Sequence, residues 1–186
     1  MKTPQESKGL LLEGNKNFVD GLKNGNISLD RRLDTADNGQ HPYAIILACS
    51  DSRVPVEHIF SAGIGDLFVI RNAGNVVGDF DLGSMEYAAE HLGVPLLVVL
   101  GHNKCGAISS ALSDEPVEGW LGVLLDEVKA ATVGAKNAAE AEDMNIRYGV
   151  NKIMQSPVIS HLVTKGLLAV VGAKYDIITG TVEFWD

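Results

Sequence analysis

Four short, unbroken apolar runs punctuate the chain, at residues 43–48, 67–70, 95–100 and 167–171. Runs of this length with no polar alternation predict strands covered on both faces. Helical spacing fills the gaps between them. One helix is predicted from Asp81 to Leu92, stopping at Gly93, and another from Trp120 to Val133. A third runs from Ala138 to Lys165 and should break before Pro157, because the residue preceding a proline disfavours the helical region. Strands alternating with helices argue for a parallel α/β sheet. A final strand, Thr181 to Trp185, follows the turn Ile178-Thr179-Gly180 and should pair antiparallel at an edge.

The start of the chain reads differently. Thr3-Pro4-Gln5-Glu6 has the form of a capping box with proline at the first helical position. The helix it opens should reach about Asn24, with Leu11, Phe18 and Leu22 on one face and Gly25 past the end. Residues 26–42 are polar and turn-rich, and are expected to form an extended connection wrapping a surface, including that of a partner. The expectation is one domain over 1–186: a mostly parallel β-sheet flanked by helices, with an antiparallel edge strand and an N-terminal helical arm (1–42).

Composition narrows the function classes. Hydrophobic residues make up 46% of 186 residues, enough for a sizeable core. The net charge of −9 disfavours phosphate backbones and anionic lipid surfaces, and Arg31-Arg32 is the one adjacent basic pair. Neither nucleic acid nor a membrane is therefore expected as a partner. No apolar stretch reaches eighteen residues, and the first residues lack the apolar core of a signal peptide, so the chain is read as cytoplasmic. With only Cys49 and Cys105 in an intracellular domain, metal binding or reactivity is favoured over a structural disulfide.

Cys49 ends the first predicted strand; His102 lies just past the third, and Cys105 follows three residues later. Ligands of open α/β sheets gather outside the carboxyl ends of strands. Two thiolates and an imidazole delivered there form a catalytic zinc set with one coordination position left over. A His-x-x-Cys spacing alone is weak, since free cysteines are often simply small buried hydrophobes. Placement at two strand ends favours the metal. Asp51 and Arg53, just after Cys49, can form a bidentate pair beside the metal, or else an exposed pair worth little. Gly63-Ile64-Gly65 fails as a dinucleotide fingerprint, because Phe68 stands where the last glycine is needed.

The segment from Cys49-Ser50-Asp51-Ser52-Arg53-Val54, with Gly101-His102-Asn103-Lys104-Cys105-Gly106, closely resembles the β-class carbonic anhydrases. The blocks 65–75, 84–88 and 172–176, and Gly14-Asn15 with Phe18, carry the resemblance across nearly the whole chain. It implies a zinc lyase that reversibly hydrates carbon dioxide to bicarbonate and a proton, working as a homodimer or higher homo-oligomer. In that family the N-terminal helix embraces a second subunit, and the pocket lies between subunits. Gln40, Phe68 and Tyr87 match its polar and aromatic lining, expected from the partner chain, and an N–H near Gly106 can orient a substrate oxygen. Taken alone, Phe68 and Tyr87 read as core packing. Ile46 stands where some members carry a bicarbonate-binding tryptophan, a departure that falls on the allosteric site of that subgroup. Lys104 is given no role, and His58 is a candidate proton shuttle that also reads as an ordinary surface histidine. Two rivals remain: a carbonyl sulfide or carbon disulfide hydrolase using the same ligands, and a non-catalytic zinc or thiol-redox sensor in which Asp51 and Arg53 are dispensable.

Overall fold

The apolar runs become strands β1 (Ala44–Cys49), β2 (Leu67–Asn72), β3 (Leu96–His102) and β4 (Ala169–Tyr175), and the terminal run becomes β5 (Val182–Trp185). They form one sheet ordered β2-β1-β3-β4-β5, with the first four strands parallel and β5 antiparallel to β4. The computed structural model describes residues 2–22, 25–113 and 115–185. Every residue of β1 and β3 is buried, as expected of central strands. Alternation splits their side chains between two layers. Ile46, Val98 and Leu100 face Leu11, Val54 and Phe60, while Ile45, Leu47 and Val99 face Met85, Ile146 and Ile153.

The helices are α1 (Pro4–Val19), α2 (Leu29–Asn38), α3 (Val56–Ile59), α4 (Asp79–Glu86), α5 (Gly106–Leu112), α6 (Gly119–Ala131), α7 (Ala138–Ile153) and α8 (Pro157–Thr164). The capping box at Thr3 is formed, with the Glu6 amide donating to the Thr3 hydroxyl at 3.2 Å and the Thr3 amide to the Glu6 carboxylate at 2.7 Å. Gly14 lets α1 lie against α3, since a Cβ there would sit 1.9 Å from the carbonyl oxygen of Phe60. Asn15 pins the helix: its amide donates to the carbonyls of Ile59 and Gly180, and its Oδ1 accepts from the Val182 amide.

Several boundaries depart from expectation. Helix α1 stops at Val19, so Leu22 lies beyond it and is exposed; the expected end at Asn24 falls outside the described residues. The extended connection expected over 26–42 instead contains α2. Ser28 caps it, and Arg31 ties it to the body through the Ile64 carbonyl (2.9 Å) and the Asp66 carboxylate (3.2 Å). Leu29, Leu33 and Ala36 do recur at helical spacing, but they are few among polar residues and none is buried in the single chain, so the segment reads as a connection. The helix expected from Asp81 starts at Asp79 and ends in a π-helical turn, Tyr87–His91. Helix α8 does begin at Pro157, with Ser156 as its cap. Helices α3 and α5 were not predicted; each is too short to show a period. Leu167 is exposed, and β4 starts two residues later.

Candidate metal centre

Parallel pairing sets the site. Cys49 ends β1, and His102 is the last residue of the neighbouring β3 rather than lying past it. Cys105 follows a turn in which Lys104 has φ of +55°, and it caps the N-terminus of α5. The two sulfurs and an imidazole nitrogen lie within 4.8 Å of one another, and all three residues are buried. A tetrahedral ion with bonds of about 2.0–2.3 Å spaces its ligands roughly 3.5–4 Å apart, so little contraction is needed.

Three features fit a zinc ion. His102 Nδ1 lies 2.9 Å from the Asn103 carbonyl oxygen, which places its proton there and presents bare Nε2 to the cluster. That Nε2 is buried and has no hydrogen-bond partner. The sulfurs are unequal: the adjacent Cys105 thiol, His102 and the amides of Asp51 and Gly74 bring Cys49 down, against the opposing effect of burial. The Cys49 thiolate and burial in turn push Cys105 up, although the amides of Ala107 and Ile108 pull the other way. Two buried thiols this close disfavour each other's ionisation, because like charges repel. A dication removes that conflict, because thiolates are the form that binds metal.

Cys49 Sγ accepts from the amides of Asp51 (3.4 Å) and Gly74 (3.3 Å). The second donor depends on Gly74 adopting φ of +75°, within a single turn of 3₁₀ helix at Ala73–Asn75. Asp51 is turned toward Arg53. The guanidinium gives a fork, Nε to Oδ1 at 3.0 Å and Nη2 to Oδ2 at 2.7 Å, and the Arg53 amide adds a third bond at 2.9 Å. Those hydrogen bonds hold the carboxyl of Asp51 well below the usual range, so it is ionised at neutral pH. Arg53 Nη2 also donates to the Lys104 carbonyl at 3.0 Å, linking the loops that carry Cys49 and Cys105.

Sequence reasoning overlooked Arg71. It pairs with Ala48 in the β1–β2 register, and its Nε and Nη2 donate to the carbonyls of Cys49 (3.0 Å) and Asp51 (2.8 Å). The available signal was an arginine directly after the apolar run 67–70. Lys104, given no role from its side chain, contributes its carbonyl.

The expected lining residues are not beside this cluster. Phe68 pairs with Ile45, whereas Cys49 pairs with Asn72. Four residues of strand separate the two levels, about 13 Å at 3.3 Å per residue. Gln40 is exposed ahead of β1, at the amino end of the sheet. Tyr87 lies against Phe68, with ring centroids 6.3 Å apart, and is 47% exposed, so it is not core packing. Gly106 is exposed at the start of α5, next to Cys105. His58 is exposed on α3.

Comparison with known proteins agrees with this geometry. Residues 44–182 match the family model described as carbonic anhydrase. The chain is 39% identical over 181 residues to "Carbonic anhydrase 2" of Mycobacterium tuberculosis, covering 91% of this chain and 87% of that one. Among solved structures, the β-carbonic anhydrase CcaA superposes with a TM-score of 0.76 at 30% identity, over 85% of this chain and 86% of that chain. A structure from a study of two tetrameric β-carbonic anhydrases of Sordaria macrospora gives 0.73 at 30% identity, over 84% and 86%. Among the described residues no helix is long and apolar enough to cross a membrane.

Proposed function

The chain belongs to the β class of the carbonic anhydrase family, and from that membership we propose the residues through which it hydrates carbon dioxide to bicarbonate and a proton. Cys49, His102 and Cys105 hold the zinc. The observation that carries this is the convergence of their three ligand atoms within 4.8 Å. Zinc supplies acidification of a water, so that a nucleophile exists at neutral pH. Asp51, ionised beside the ligand set, would accept a hydrogen bond from the attacking water and orient it toward carbon dioxide. Arg53 keeps Asp51 ionised and prevents it from turning onto the metal. Arg71 fixes the carbonyls of the loop between them. The backbone N–H of Gly106, an exposed residue at the start of α5, donates to a substrate oxygen.

Gln40, Phe68 and Tyr87 line the pocket of a second subunit. Their distance from the metal ligands of their own chain supports this. Exposed Ile27, Leu29 and Leu33 on and before α2 support a second chain covering that region. The assembly is a homodimer or a larger homo-oligomer, in which residues 1–42 form the embracing arm. Both cysteines are free thiols, and a thiolate site survives in a reducing compartment, which supports a cytoplasmic location.

Stopped-flow hydration of carbon dioxide tests the assignment. Activity should disappear with a zinc chelator and return with added zinc. Activity unchanged after complete zinc removal would refute it. Carbonyl sulfide run in parallel should be turned over more slowly; a preference for it would redirect the substrate while leaving the metal site intact.

A further inference from the structure

Helix α7 places two buried polar residues three positions apart among Ala141, Ile146, Gly149 and Ile153. Glu142 is 5% exposed and Asn145 is 4% exposed. Residues spaced i and i+3 share a helix face. A carboxylate and an amide on the core side of a helix are costly unless bonded, and each has a particular partner. Glu142 Oε1 accepts from the amide of Cys105 at 3.5 Å, the long end of hydrogen bonding. Asn145 Nδ2 donates to the carbonyl of Gly74 at 2.8 Å. Gly74 is the residue whose own amide donates to Cys49 Sγ. One turn of α7 therefore reaches the backbone supporting each of the two sulfurs.

The carboxylate is itself held. Lys174, beside Gly101 in the β3–β4 register, sets its ammonium 3.0 Å from Glu142 Oε2. The same ammonium lies 2.6 Å from Asp143 and reaches the Ala139 carbonyl at 3.4 Å. A lysine at the carboxyl end of β4 thus orients Glu142 from the far side, and Cys105 meets the oxygen that Lys174 leaves free.

We propose that Glu142 and Asn145 are positioning residues for the metal ligands, a bracket on α7 that fixes the Cys105 and Cys49 loops at ligand spacing, with Lys174 orienting Glu142. The inference rests on the metal-site assignment above. The bracket touches neither substrate nor metal. Its effect is on how well the thiolates are held before the ion arrives, and outer partners of this kind typically change metal affinity about 10–100-fold.

The test is zinc affinity by chelator competition on the full-length protein, with apo-protein melting measured in parallel. Glu142→Ala and Asn145→Ala should each weaken zinc binding by about 10-fold or more. Glu142→Gln, which keeps an acceptor for the Cys105 amide, should restore most of it. Lys174→Met removes a residue farther from the sulfurs and should weaken zinc by a smaller factor. Cobalt-substituted Glu142→Ala should show altered thiolate-to-metal charge-transfer absorption, a readout that a purely structural loss would not move. Should Glu142→Ala or Asn145→Ala fail to fold, Glu142→Gln and Lys174→Met carry the test. Wild-type zinc affinity in Glu142→Ala and Asn145→Ala, or equal loss in Glu142→Gln and Glu142→Ala, overturns the bracket. Failure of the wild-type protein itself to bind zinc would instead sink the metal-site assignment.

Discussion

The two ends of the sheet are built in opposite ways. At the carboxyl end, Cys49, His102 and Cys105 are buried, and Arg53, Arg71 and the Gly74 amide tie the backbone and side chains around them within one chain. At the amino end, Gln40 and Tyr87 are exposed, Phe68 is half-buried, and Leu29 and Leu33 of α2 face outward. A metal site must hold its ligands to a fraction of an ångström, so it is finished before any partner arrives. On the assembly proposed above, the amino end is completed by a second subunit and can stay loose, because docking supplies the missing contacts. On this comparison, damage at the carboxyl end destroys chemistry inside each chain, and damage at the amino end acts through assembly.

The largest expected effect is at the metal. Cys105→Ser should purify without zinc and without hydration activity; elemental analysis showing one zinc per chain would contradict its assignment as a ligand. Asp51→Asn should retain zinc yet lose about 10²-fold or more in turnover, as lost electrostatic positioning does. Wild-type turnover in that variant would remove Asp51 from the mechanism. It would also reduce the carboxyl end to a metal-binding site alone.

A smaller effect tests the other end. Leu29→Ser with Leu33→Ser changes side chains exposed in the single chain, so each should alter intrinsic stability by only about 0.5 kcal/mol. Analytical ultracentrifugation should show a lower mass, with activity falling while zinc stays bound. Unchanged mass and unchanged activity would break the comparison, because the amino end would then need no second chain.

The smallest effect belongs to α1. Thr3→Ala removes a helix cap worth about 1 kcal/mol, measurable in urea unfolding. The Thr3 amide, and then its hydroxyl, hold Glu6 below its ordinary value. The sign follows: this contribution is present above the unfolded pKa of about 4.3 and fades as pH falls through the lower folded value. Thr3→Ala keeps the amide donor and loses the hydroxyl, so its stability deficit should shrink in acid without vanishing.

Much of this was legible in the chain itself. Unbroken apolar runs give buried parallel strands because such strands are covered on both faces, and the cap at Thr3 and the break at Pro157 are local chemistry. Cys49, His102 and Cys105 could be picked out as candidate ligands because strand ends are where an open sheet exposes ligands, and Asp51 and Arg53 as candidates because they follow Cys49. Helix α2 was read as a connection: Leu29, Leu33 and Ala36 are few among its polar residues, and what ties it to the body is Arg31 reaching Ile64 and Asp66, a contact no sequence spacing shows. Arg71, Glu142 and Asn145 were hidden for the same reason. Each looks like one more polar residue until strand register and helix packing bring it to a backbone group distant along the chain. The sequence by itself determined the strands, the cap and break of the longer helices, and which side chains can bind a metal, since these depend on residue type and near neighbours. Only the tertiary structure decided what holds those side chains at ligand distance, because that depends on hydrogen bonds between segments whose proximity exists only after the sheet has closed its register.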